Sequence, residues 1–259
     1  MDSITVNATR LECRFLGPAP EEAPTLVLLH EGLGSVGLWR DFPEKLQAAT
    51  GLGVFVYSRA GYGGSGPDPL PWPIDYMERH AAEVLPGVLD AIGFQHGLLV
   101  GHSDGASIAA LYAGTHSDPR VKGCALMAPH FFIEQICLDA IAEAKIAYEQ
   151  GGLKPKLALY HGQNVDNAFY GWNASWLAEG FRAWDISHAL RQCHTPLLVL
   201  QGLSDPYGTA EQARTVERHC PASVDVRLME GTGHTPWREA EAETLDAIRG
   251  FAARLLPTD

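Results

Sequence analysis

Short uninterrupted apolar runs recur along the chain, separated by longer stretches with apolar residues at helical spacing. Leu26-Val27-Leu28-Leu29, Val54-Phe55-Val56-Tyr57, Leu98-Leu99-Val100 and Leu197-Leu198-Val199-Leu200 show no polar alternate positions. A strand reads this way when helices cover both of its faces. The pattern predicts strands at 25–30, 54–57, 97–100 and 197–200, with further strands at 11–16, 121–127 and 224–229. Helices are predicted over 38–49, 75–92 and 104–114, the second with Met77, Ala81, Val84, Leu85, Val88, Leu89 and Ile92 at its apolar positions. Pro86 lacks an N–H and should kink that helix. Such alternation implies an α/β fold, a mostly parallel sheet with helices on both faces.

One stretch breaks the rhythm. Residues 129–191 hold no convincing strand, only helical patterns and many aromatics, among them Phe131, Tyr148, Trp172, Trp176, Phe181 and Trp184. A structureless loop of that length is foreign to a compact domain, so a helical insertion is expected there. The chain then divides into a core, 1–128 and 192–259, and an inserted segment, 129–191.

Composition narrows the classes. At 259 residues the chain can bury one sizeable core. A formal net charge of −12 works against nucleic acid and anionic membrane surfaces, because like charges repel. No apolar run approaches the ~20 residues that span a bilayer. Residues 1–10 lack a basic stretch followed by an apolar one, so no secretory signal is expected. Cys13, Cys124, Cys137, Cys193 and Cys220 are odd in number and widely spaced, which suits reduced thiols better than disulfides or a metal site. The expectation is a cytoplasmic protein without a metal, with a small-molecule substrate as its partner and a homodimer left open.

The segment that carries chemistry is Gly101-His102-Ser103-Asp104-Gly105, between the strand at 97–100 and the helix at 104–114. It fits the G-x-S-x-G nucleophile elbow in its strand–turn–helix setting. The serine needs a strained backbone, so the residues two before and two after it must be small. A serine also needs a base, and the base an orienting carboxylate, in the chain order Ser, Asp, His. Asp205 follows the strand at 197–200 and His234 follows the strand at 224–229, both at the edge where open α/β sheets bind ligands. An oxyanion hole is expected from the N–H of Asp104 and a second N–H of the loop His30-Glu31-Gly32-Leu33-Gly34-Ser35. His80, His96, His116, His188, His194 and His219 read as solvated, whereas His130 and His161 could line the pocket.

Together these segments resemble the α/β-hydrolase superfamily over essentially the whole chain. Leu28-Leu29-His30-x-Gly32-x-Gly34-Ser35 is similar to the family's H-G-x-x-G-S segment, and Gly61-Tyr62-Gly63-Gly64-Ser65 to its G-x-G-x-S loop. The resemblance implies an eight-stranded sheet, a helical lid at 129–191 inserted after the sixth strand, the second oxyanion amide at Gly32, and no cofactor. Small bacterial carboxylesterases and C–C-bond hydrolases are the nearest in character. Two departures stand out: Glu31 sits where the family has glycine, and Ser58-Arg59-Ala60 replaces Asp-x-Arg.

The activity this implies is that of a serine hydrolase cleaving an ester-like bond of a small, mostly apolar substrate. C–C-bond, thioester and lactone hydrolysis remain open at the same residues, as do a cofactor-independent oxygenase or perhydrolase and a non-catalytic receptor. C–C hydrolysis would want a basic pocket residue, with Arg182 and Lys145 as candidates. If Glu31 and Asp104 both border the pocket, they would repel anionic substrates. The alternative is that one or both enter structural hydrogen bonds or pair with Arg59. His102, His130, Trp172 and Trp176 complete the candidate substrate contacts, the tryptophans serving either as lid packing or as pocket roof.

Overall fold

The computed structural model describes residues 3–256; residues 1, 2 and 257–259, at the ends of the expected core, lie outside the described residues. The strands are β1 Ser3–Val6, β2 Thr9–Leu16, β3 Thr25–Leu29, β4 Gly53–Tyr57, β5 Gly97–His102, β6 Val121–Met127, β7 Leu197–Gly202 and β8 Val224–Met229. They form one eight-stranded sheet in the order β1-β2-β4-β3-β5-β6-β7-β8. β1 pairs antiparallel with β2 and β2 with β4; every other neighbouring pair is parallel. β1 was not expected from the sequence. It joins β2 through Asn7 and Ala8, both at positive φ, a two-residue hairpin turn without the usual glycine.

The period of two in each strand sorts the core. Leu26, Leu28, Val54, Val56, Leu98, Val100, Leu198 and Leu200 pack on one face. Val27, Leu29, Phe55, Leu99 and Val199 pack on the other. Both faces are dry, which accounts for the lack of polar alternation in these strands.

The helices are α1 Phe42–Thr50, α2 Tyr76–Arg79, α3 Leu85–Ala91, α4 Asp104–Thr115, α5 Gln135–Glu149, α6 Leu153–His161, α7 Val165–Leu177, α8 Ser187–Gln192, α9 Ala210–His219, α10 Pro236–Glu239 and α11 Glu241–Leu255. The helix predicted at 75–92 is split by a π-helical turn at His80–Val84, just before Pro86. The wide turn accommodates the missing proline N–H. It also carries His80 inward, correcting the expectation of a solvated ring: His80 is buried and its Nε2 meets the Tyr57 hydroxyl at 2.9 Å. Burial first, and the nearby Arg59 charge second, push its pKa down to about 3.

Helices α5 to α8 are inserted between β6 and β7. Among the described residues, no helix is long and apolar enough to cross a membrane.

Candidate active site

Parallel pairing places the ends of β3, β5, β7 and β8 along one sheet edge, with Leu29 opposite Gly101 and Gly202 opposite Met229. The loop after β3, Ser103, Asp205 and His234 all leave from that edge.

Ser103 has φ 51° and ψ −119°, and its N–H donates to the Met127 carbonyl at 2.9 Å. A side chain costs free energy at positive φ, so this serine is held there by its surroundings. The two flanking glycines are what make the turn passable. A Cβ on Gly101 would lie 2.4 Å from the Gly105 carbonyl oxygen, and one on Gly105 would lie 2.1 Å from that of Leu29. Helix α4 starts at Asp104, so its first amides point at the serine's surroundings without intrahelical acceptors.

His234 Nδ1 lies 2.9 Å and 3.0 Å from the two carboxylate oxygens of Asp205. Asp205 also accepts from Gln201 Nε2 at 3.0 Å and from the Tyr207 amide at 2.8 Å. Burial works to raise the Asp205 carboxyl, but these donors, the His234 ring foremost, outweigh it and hold the pKa below the usual carboxylate value. An ionised Asp205 fixes the proton on His234 Nδ1 and leaves Nε2 as the basic nitrogen.

The backbone of His234 is held as well. His102 Nε2 donates to the His234 carbonyl at 2.7 Å, and His102 Nδ1 faces Glu31 Oε2 at 3.3 Å. Both nitrogens donate only when the ring is an imidazolium. Burial pulls the His102 pKa down, but the Glu31 carboxylate more than offsets this and leaves it raised. Glu31 is lowered in turn, the His102 contact overcoming its own burial. The Trp237 indole N–H, 3.3 Å from the same Nδ1, can donate there only to a neutral ring.

Asp104 faces the other way. Its carboxylate accepts from the Tyr76 hydroxyl at 2.5 Å and lies 3.6 Å from Arg59 Nη2, fully buried and outside the cavity. Burial raises its pKa, with Arg59 opposing. Of the two readings of these acidic side chains, Glu31 borders the pocket and Asp104 instead pairs with Arg59.

Ser103 and His234 share a cavity of about 440 Å³. Its walls include Glu31, Gly32, His102 and His130, and its roof is Trp172 and Trp176, four residues apart on one face of α7. Burial and then the His234 charge push His130 down to about 3, so it lines the cavity as a neutral ring. Three expected contributors are elsewhere. His161 spans the Gly63 amide and the Leu33 carbonyl beside a different groove, and Lys145 and Arg182 do not line this cavity. Phe181 and Trp184 stack on each other 5.2 Å apart, outside it.

Sequence reasoning missed Cys137, Ile141, Leu153, Tyr207 and Arg238 in its lining. Tyr207 could have been found, since it lies two residues after Asp205; its ring stands 4.6 Å from that of His234.

Residues 24–159 match the sequence model of the α/β hydrolase fold family. The protein named "Putative carbamate hydrolase RutD" of Pseudomonas syringae pv. syringae (strain B728a) is 28% identical over 239 residues, 82% of this chain and 87% of that one. Epoxide hydrolase B of Mycobacterium tuberculosis is 28% identical over 117 residues, 44% of this chain and 32% of its own length. Among solved structures, a carboxylesterase of the thaumarchaeon Nitrososphaera gargenis superposes with a TM-score of 0.78 at 17% identity, over 98% of both chains. The enol-lactonase of Burkholderia xenovorans LB400 gives 0.73 at 20% identity, over 96% of this chain and 98% of that one. At such identities the structural likeness speaks for the fold.

Proposed function

The chain belongs to the α/β hydrolase fold family, and we propose from that premise that it is a serine hydrolase cleaving an ester-like bond of a small, mostly apolar substrate. The observation that carries the reading is His234, its Nδ1 held by Asp205, sharing one cavity with Ser103 on its positive-φ turn. Ser103 is the nucleophile, His234 the base, Asp205 its orienting acid, and the amides of Gly32 and Asp104 the oxyanion hole.

In this mechanism His234 Nε2 takes the Ser103 proton as Oγ bonds to the substrate carbonyl carbon. The carbonyl electron pair moves to oxygen and rests on the two amides. Collapse expels the alcohol, protonated by His234, and leaves an acyl-enzyme. Water, deprotonated by His234, then releases the acid and restores the serine.

The cavity supports the substrate class. Ile141, Leu153, Trp172 and Trp176 make it largely apolar, and the Glu31 carboxylate faces His102 Nδ1 at 3.3 Å. Among the lining residues Arg238 is the permanent cation, and it is exposed, so the cavity suits a neutral carbonyl compound better than an anionic one. This weighs against C–C-bond hydrolysis of an anionic substrate. The carbamate hydrolase relative brings a second reading, a carbamate in place of the ester at the same residues.

A panel of p-nitrophenyl esters, carbamates, thioesters and lactones, run with wild type and Ser103→Ala, tests the proposal. The expected result is turnover of neutral apolar esters, lost by about 10⁴-fold or more in the variant. Full activity of Ser103→Ala on every ester that wild type turns over would refute it.

A further inference from the structure

We infer that Arg59 is a positioning residue for the oxyanion hole, clamping the Glu31–Gly32 peptide so that the Gly32 N–H is presented to the reacting carbonyl. The inference rests on the Ser103 reading above and assigns a task to the departure Ser58-Arg59-Ala60.

The Glu31 carbonyl accepts three donors: His30 Nδ1 at 2.7 Å, Arg59 Nη2 at 2.8 Å and the Gly34 amide at 3.0 Å. The His30 tautomer follows from its other nitrogen. The Arg59 backbone N–H, which can only donate, meets His30 Nε2 at 3.0 Å, so the proton sits on Nδ1. Burial first and the Arg59 charge second hold the His30 pKa well down, which keeps the ring in this neutral form.

The Glu31–Gly32 peptide is trans, so its N–H points opposite to its carbonyl. With the carbonyl fixed by three donors, the N–H is fixed too. Among the described residues it has no acceptor, and Gly32 lines the cavity that holds Ser103. Donation into the carbonyl also polarises the amide and strengthens its N–H as a donor.

The next peptide is tied down by the same cluster. The Tyr62 hydroxyl donates to the Gly32 carbonyl at 2.9 Å, and Arg59 lies over the Tyr62 ring at 4.7 Å. Arg59 Nη2 is also 3.6 Å from the carboxylate of Asp104, whose amide is the second oxyanion donor. One buried cation therefore holds the Glu31–Gly32 peptide by its carbonyl and faces the side-chain carboxylate of the residue that supplies the second amide. Both contacts leave from Nη2, whose N–H directions are set by the rigid guanidinium plane, a constraint that an ammonium lacks.

The test compares wild type, Arg59→Lys, Asp104→Asn and the double variant Arg59→Met/Asp104→Asn, which leaves no buried carboxylate without its cation. Each is first checked for folding by circular dichroism and Tm, then for kcat, KM and affinity for an alkyl boronic acid, which forms a tetrahedral anionic adduct with the serine. The expected result is that kcat and boronate affinity fall together by about 10- to 100-fold in the double variant relative to Asp104→Asn, with KM within about twofold. Arg59→Lys, which keeps the charge but not the fork, should fold and show an intermediate loss of kcat. Wild-type kcat and boronate affinity in folded Arg59→Lys, or a loss confined to KM, would overturn the inference while leaving the serine reading in place. If boronate does not bind wild type, or Ser103→Ala retains turnover, the serine reading itself fails and this inference falls with it.

Discussion

Below the cavity, Ser103, Asp205 and His234 leave from strand ends locked in register by the sheet. Above it, Trp172 and Trp176 stand on α7, which reaches the body largely through side chains. Asn164 donates to the Gly63 and Ser65 carbonyls, Asn167 to that of Asp68, and the Trp176 indole to the Tyr76 hydroxyl. Floor contacts are backbone ladders with little freedom, whereas roof contacts are individual bonds worth about 1 kcal/mol each. The floor should therefore govern kcat, and the roof KM and substrate choice.

The largest expected effect is on the floor. Asp205→Asn should leave the fold intact and lower kcat by about 10³- to 10⁴-fold, because an asparagine misorients the proton on His234. A loss under about tenfold, measured by steady-state kinetics, would place the orienting acid elsewhere.

Gly32→Ala probes where floor and roof touch. Its Cβ would lie 2.2 Å from the Trp172 ring, so kcat should drop by about 10²-fold as the amide is displaced. Gly32→Ala/Trp172→Ala should recover part of that loss. If the double variant is as impaired as the two losses multiplied, the residues do not share a constraint.

Trp176→Ala should raise KM for large apolar esters by about tenfold and alter kcat less. An equal fall in kcat for all ester sizes would move Trp176 from roof to floor.

The smallest effect concerns the pair that ties the loop after β3 to the base. Since Glu31 raises the His102 pKa, their contact stabilises the fold below the ordinary imidazole value, and the gain is lost as pH rises through the raised pKa. On the acid side it is lost as pH falls through the lowered Glu31 pKa. Glu31→Gln should thus cost a Tm of roughly 3–6 °C near pH 6, shrinking as pH rises above the ordinary imidazole value. A Tm gap that widens with rising pH would contradict the assigned charge on His102.

The same division governs what the sequence disclosed. Ser103, Asp205 and His234 were legible because each sits in a local pattern, glycine-flanked or just after an apolar strand, that the chemistry demands. The insertion was legible as a break in the alternation. Its inner face was not, since helical spacing shows that Trp172 and Trp176 share a side but not which side meets the cavity. His80 was misread for a related reason: its burial depends on the Tyr57 hydroxyl of β4, a partner set by tertiary packing. Asp104 was ambiguous until its buried partners, Tyr76 and Arg59, were in view.

The central claim is that Ser103 is the nucleophile, and a fluorophosphonate probe reads it directly. Wild type, Ser103→Ala and His234→Ala are each incubated with the probe, digested, and the adduct mapped by mass spectrometry. A stoichiometric adduct is expected on Ser103 in wild type, none in Ser103→Ala, and labelling slowed by about 10³-fold or more in His234→Ala. An unlabelled Ser103 in folded wild type, or an adduct on another residue, would contradict it.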